Sequence, residues 1–199
     1  ASASAVELLE PGHPHLLRRV PPGGDDRVLV EIGTADPGAE ELLLDALDEV
    51  AADIGDAVVG PPTQLWEVRH TIPTITERMH PVVAFDISTT RSALTALRAA
   101  LAARLDLPRI ELGHYGDGGL HLILPLPSDD VPDGLRRLVF DTVVGEFGGS
   151  FSAEHGIGPK NADAYARYVP AETRALAAAL KDRFDPLGIL GWRTTAVPR

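Results

Sequence analysis

The sequence predicts an α+β fold, a mainly antiparallel sheet with helices over one face. Three observations carry this. Apolar residues switch repeatedly between alternating and three-to-four spacing, in the order strand, helix, strand, helix, strand, helix, strand, strand, helix. The dipeptide Asp117-Gly118 joins the two consecutive strands as a tight hairpin, so the sheet cannot be all parallel. With 199 residues, 44% of them hydrophobic, the chain is long enough to bury one substantial core.

Each element follows from local pattern. Residues 6–9 (VELL) form a short strand candidate, and the Pro/Gly-rich run 11–26 supports neither a helix nor a central strand. Residues 27–33 (RVLVEIG) read as a strand closed by Pro37-Gly38. Over 39–53, Leu43, Leu47, Val50 and Ile54 fall at helical spacing, with Glu40 and Glu41 favourably placed in the first turn. Residues 57–59 make a short strand, Pro61-Pro62 a break, and 63–70 (TQLWEVRH) a helix start that Pro73 interrupts. Residues 82–87 (VVAFDI) are a strand, and the hydroxyls of 88–90 are positioned to cap a helix striped by Leu94, Leu97, Leu101 and Leu105.

The hairpin comes next, with 109–113 running in and 120–126 running out. If Asp117 and Gly118 are its two loop residues, Gly116 pairs with Gly119 and His114 faces His121 directly. Residues 127–133 are a turn, and Leu135, Leu138, Val139, Thr142 and Val143 define a helix ending at Gly148-Gly149. Residues 150–160 (SFSAEHGIGPK) read as a glycine-rich loop, 171–184 as a final helix and 186–199 as a tail. This order suggests duplicated βαβ-type units of ferredoxin-like type.

Composition excludes several classes. A formal charge of -11 argues against a nucleic-acid or anionic-membrane surface, since neutralising phosphates needs clustered Lys and Arg. The absence of cysteine removes disulfides and thiolate metal ligands and leaves the redox compartment open. No apolar run approaches a membrane span and the first residues lack signal-peptide character, so the cytoplasm is the default location. The chain begins at Ala1 and its single methionine is Met79, which fits either an excised piece of a longer protein or removal of an initiator methionine.

The chemistry concentrates at two places. Opposed hairpin positions bring Cβ atoms within about 4.5–5.5 Å, so His114 and His121 are placed to share one metal ion. Glu154 adds a carboxylate, and two histidines with one carboxylate suit a catalytic divalent ion with open positions. On an extended segment the side chains of Glu154 and His155 point opposite ways, one to the ion and the other to substrate. The competing reading makes the histidines packing residues and the Glu154-His155 step a solvated turn. Asp117 reads as the turn former, and Gly156-Ile157-Gly158 lacks the third glycine and the leading strand of a dinucleotide loop. Trp66 and Arg69 share a helix face, where Arg69 can grip a carboxylate bidentately.

Three segments, GHYGDGGLHL at 113–122, FGGSFSAEHGIGPK at 147–160 and LKDRFDPLGIL at 180–190, resemble the C-terminal domain of FAD-linked oxidases of the vanillyl-alcohol-oxidase type, especially the D-2-hydroxyacid dehydrogenase branch (D-lactate, glycolate, D-2-hydroxyglutarate). The resemblance implies a cap domain over 1–190 and a tail over 191–199. It also implies an N-terminal flavin-binding domain that this chain lacks, so the chain alone would bind FAD poorly and turn over nothing. It puts His114, His121 and Glu154 on the ligands of a divalent metal (Zn, Mn or Fe), His155 on the catalytic base, and Arg69 on the arginine that binds substrate carboxylate. The substrate is then a small 2-hydroxy acid oxidised by hydride transfer to flavin, and a homodimer is allowed. The sequence departs from the family at Ala84, where a lysine is common, and at Pro73, Ile123 and 191–194, so half of the family's carboxylate clamp is missing. Two other readings compete: a stand-alone His/His/Glu zinc hydrolase, active without flavin, and a non-catalytic ferredoxin-like binding module.

Overall fold

The structure is a computed structural model that describes residues 3–9, 27–32, 38–50, 52–53, 63, 65–67, 69–70, 79 and 81–191. The connector at 11–26, the strand expected at 57–59, the breaks at Pro61-Pro62 and Pro73, and the tail beyond 191 lie outside the described residues. The chain divides into two compact units: Ala1–Val83 with Leu107–Asp117 and Ile123–Asp129, and Ala84–Asp106 with Gly118–Leu122 and Asp130–Arg199.

The first unit is built on antiparallel pairing. Strand β1 (Ala3–Leu9) pairs with β2 (Arg27–Ile32) on one side and with β4 (Ile110–His114) on the other, both antiparallel. On β4, Ile110 and Leu112 point to one face and join Ile123, Met79 and Val82 in an apolar core. Between them Glu111 is buried, and its charge is met by the Arg109 Nε–H at 2.8 Å. Helix α1 (Ala39–Val50) keeps Leu43 and Leu47 half-buried at the expected spacing, while Val50 is exposed and the chain turns at 52–53. The described residues between 63 and 70 are helical, and there Trp66 stacks on His70 and donates its indole N–H to Glu31.

Strands β3 (Val82–Ser88) and β5 (Gly119–Pro125) are hydrogen-bonded neighbours, and residues 84–88 and 119–122 of them belong to the second unit. Period-two alternation buries Phe85 and Ile87 and leaves Asp86 on the opposite face with exposed Ala84. Helix α2 (Arg91–Arg104) buries the predicted stripe Leu94, Leu97 and Leu101. Its expected hydroxyl cap is absent: Thr90 occupies the cap position without a side-chain cap bond, and the Thr89 hydroxyl donates to the Phe147 carbonyl.

The helix expected to run to Gly148 changes character midway. Helix α3 (Leu135–Phe140) passes into a π-type turn over Asp141–Glu146. The Thr142 hydroxyl donates to the Leu138 carbonyl at 2.9 Å, and the Phe147 N–H reaches back five residues to the Thr142 carbonyl at 3.3 Å. That wider spacing is the π pattern. Arg104 holds the segment from outside, donating to Thr142 Oγ1 at 2.7 Å and to both Glu146 oxygens. Phe85, Phe140, Phe151 and Tyr168 form one aromatic cluster, and the Tyr168 hydroxyl donates to Asp141 at 2.7 Å.

Helix α4 (Ala162–Tyr168) lies beyond the expected glycine-rich loop, where the sequence pattern predicts no element, and precedes α5 (Ala171–Phe184), whose bounds match the expectation. After α5 the Asp185 carboxylate takes the N–H groups of Ile189 and Leu190 and the Lys181 ammonium, which orders the first part of the expected tail. The α+β class with a mainly antiparallel sheet holds.

Candidate functional site

The turn between β4 and β5 takes four residues, 115–118, where two were expected, so Gly116 and Gly119 are not a strand pair. The Asp117 N–H donates to the His114 carbonyl at 3.1 Å, closing the turn one step earlier, and Gly118 follows in a left-handed conformation. Tertiary contact favours the longer turn, because the Thr89 N–H donates to the Gly118 carbonyl at 3.1 Å. Asp117 is the turn former that the sequence suggests.

The second unit assembles a cluster from β3, β5 and the 150–156 segment. Ser88 and Ser150 exchange backbone bonds of 3.1 and 2.8 Å, and the Ala153 N–H donates to the Asp86 carbonyl. The Ser150 hydroxyl donates to the Ser152 carbonyl, and the Ser152 hydroxyl to that of Gly156. This lays the segment beside the end of β3. The N–H groups of Glu154 and His155 then both donate to Asp86 Oδ2, at 2.8 and 2.7 Å. Consecutive N–H groups of an extended chain point to opposite sides, so sharing one oxygen requires a curl. The opposed side chains expected from an extended segment are therefore not seen. Both turn toward His121: Glu154 Oε1 lies 3.5 Å from His121 Nε2, and the His155 ring stacks on the His121 ring at 5.3 Å.

Asp86 sits behind this group with a side chain only 10% exposed. Its Oδ1 lies 3.7 Å from His121 Nδ1, and its Oδ2 lies 3.6 Å from His155 Nδ1. Asp86, His121 and His155 each bring one potential ligand atom within 4.8 Å of the others. His121 is 14% exposed, Glu154 43% and His155 69%, so the half-buried imidazole is flanked by a carboxylate and an imidazole that solvent reaches. Chemically, the cluster offers a nitrogen and an oxygen of the types a divalent ion takes together, and an accessible imidazole that can accept a proton.

Of the residues singled out in the sequence, His121, Glu154 and His155 come together in this unit. His114, the half-buried last residue of β4, and Arg69, half-buried in the helical stretch at 63–70, belong to the first unit. The residue that sequence reasoning missed is Asp86. Its signal was a single acid inside the apolar strand VVAFDI, an expensive position for a carboxylate unless partners await it.

The chain matches, over residues 5–192, the family described as FAD linked oxidases, C-terminal domain. It is 33% identical over 175 residues to a mitochondrial D-2-hydroxyglutarate dehydrogenase of Bos taurus, covering 82% of this chain and 32% of that protein. A D-2-hydroxyglutarate dehydrogenase of Stutzerimonas stutzeri is 34% identical over 140 residues, 63% of this chain and 29% of that protein. A D-2-hydroxyglutarate–pyruvate transhydrogenase of Saccharomyces cerevisiae is 30% identical over 142 residues, 64% of this chain and 28% of that protein. The chain thus spans about a third of the length of the curated relatives it matches. These relatives favour neither the zinc hydrolase nor the binding module.

Proposed function

The chain belongs to the FAD-linked oxidases as their C-terminal domain, and from that premise we propose that it supplies the substrate- and metal-binding side of an FAD-dependent enzyme oxidising a small 2-hydroxy acid. The names of its relatives make D-2-hydroxyglutarate the first substrate to test. The observation that carries the reading is the convergence of Glu154 and His155 on His121, with the two residues that flank it held by one buried carboxylate.

We assign His121, Glu154 and His114 as ligands of a divalent ion (Zn, Mn or Fe). The donor set fits: a histidine nitrogen and a carboxylate oxygen face each other, and His114 lies on the strand that leads into the same hairpin turn. When bound, such an ion would lower the pKa of a substrate hydroxyl beside it, and FAD would receive the hydride. The residues of this chain do the rest. Exposed His155 takes the hydroxyl proton, and its backbone tie to Asp86 restricts where the ring can go. Arg69 pairs with the substrate carboxylate through a planar fork suited to two parallel hydrogen bonds. FAD is held mainly by an N-terminal domain of the same protein, with which this chain is the substrate-facing partner. We place the protein in the cytoplasm, with a homodimer allowed. No helix among the described residues is long and apolar enough to cross a membrane.

The test is His155→Ala in the intact protein, with flavin reduction by D-2-hydroxyglutarate as the readout. Loss of a general base costs about 10² to 10⁴ in rate, so turnover falls by that order while substrate still binds. Unchanged turnover overturns the assignment.

A further inference from the structure

The Asp86 carboxylate is used unevenly. Oδ2 accepts two short backbone hydrogen bonds, whereas Oδ1 is buried and has no hydrogen-bond partner among the described residues. A buried carboxylate oxygen without a donor costs free energy, and such exceptions in folded proteins call for a reason. The group that Oδ1 faces is the Nδ1 of His121, at 3.7 Å, while the other ring nitrogen of the same imidazole faces Glu154.

We infer that Asp86 is a positioning residue. One oxygen clamps the backbone of Glu154 and His155, and the other holds His121 in the tautomer that carries its proton on Nδ1 and offers the Nε2 lone pair to a cation. The inference rests on the metal-binding reading above and adds a residue to it. An imidazole can ligate through Nε2 only if that nitrogen is unprotonated, and the partner of the opposite nitrogen decides where the proton sits. A carboxylate has no proton to donate to a neutral neighbour's lone pair, so it selects Nδ1–H. The same side chain sets the curl that brings Glu154 to Nε2, so one carboxylate controls two ligands and the base. Strand alternation supplies the geometry, with Phe85 and Ile87 buried on one face of β3 while Asp86 projects from the other.

Asp86→Asn separates this role from plain support of the fold. The amide oxygen can still accept the Glu154 and His155 N–H groups, which turns the amide NH₂ toward His121 Nδ1. That donor demands a lone pair on Nδ1 and moves the ring proton to Nε2, the ligating position. In the intact protein, Zn²⁺ affinity measured by competition with a chromophoric chelator should fall about 10- to 100-fold in Asp86→Asn, with little change in melting temperature. Affinity equal to the unaltered protein overturns the inference.

Glu154→Gln serves as the reference for the underlying reading. If the unaltered protein and Glu154→Gln bind Zn²⁺ alike, the metal assignment fails by itself. Nitrogen NMR of histidine-labelled protein then decides on Asp86 independently, as it does if Asp86→Asn fails to fold. The inference requires His121 as the Nδ1–H tautomer in the metal-free, unaltered protein, and an Nε2–H tautomer overturns it.

Discussion

Replacing Gly118 by alanine should cost far more than the same change at Gly134, although both glycines adopt left-handed backbone, with φ of 89° and 78°. For any L-residue that conformation costs about 1–2 kcal/mol, and Gly134→Ala should lose only this, because no atom of the described residues lies within 4 Å of the added Cβ. At Gly118 the new carbon would sit 2.0 Å from the Thr89 carbonyl oxygen and 3.1 Å from its carbon. Backbone atoms cannot rotate aside, so the turn and the 88–90 segment must part by about 1 Å in a close-packed interior. Overpacking of this kind adds about 1–3 kcal/mol. The parting also strains the bond from the Thr89 N–H to the Gly118 carbonyl, now 3.1 Å, worth about 0.5–1.5 kcal/mol. Together these put Gly118→Ala at about 3–6 kcal/mol. Urea unfolding of the two variants beside the unaltered protein measures the difference directly. Equal losses in the two variants would refute the close approach of the turn to Thr89.

Other perturbations probe the remaining supports. Leu97→Ala removes a fully buried side chain from the core-facing stripe of α2 and should lower unfolding free energy by about 2–5 kcal/mol in the same assay. Thr142→Val keeps the volume but deletes the hydroxyl that donates to Leu138 and accepts from Arg104; a loss of about 1–3 kcal/mol is expected, and a neutral result would show that the π-type turn does not depend on it. Asp185 titrates below its ordinary value, chiefly through the Lys181 hydrogen bond and then through the N–H groups of Leu190 and Ile189, against an opposing effect of burial. A carboxyl depressed on folding stabilises fully above the ordinary aspartate range and loses that contribution as pH falls through its folded value. Stability measured as the pH is lowered from neutral through that range should therefore drop more steeply in the unaltered protein than in Asp185→Asn.

Much of the fold is legible in short windows of sequence. Leucines at 94, 97 and 101 predict the buried stripe of α2, and the alternation in VVAFDI predicts a strand with one buried face. The features that depart from the local pattern are held by residues outside it. At the π-type turn Thr142 bonds back to Leu138 while Arg104, 38 residues away, donates to its hydroxyl. The length of the hairpin turn depends on Thr89, a residue outside the turn.

The candidate site divides in the same way. The sequence by itself singled out the candidate residues, His121 on a hairpin strand and Glu154 and His155 in a glycine-rich segment, because residue type and spacing are local properties. Only the tertiary structure decided that Glu154 and His155 both turn to His121, and that Asp86 joins them. The bonds from Asp86 to the N–H groups of Glu154 and His155 span 68 and 69 residues. No periodicity reaches that far, since a contact at such separation exists only once strand and loop have been packed together. Folding also supplies the burial that turns an ordinary aspartate in a strand into a carboxylate with one oxygen engaged and the other aimed at an imidazole.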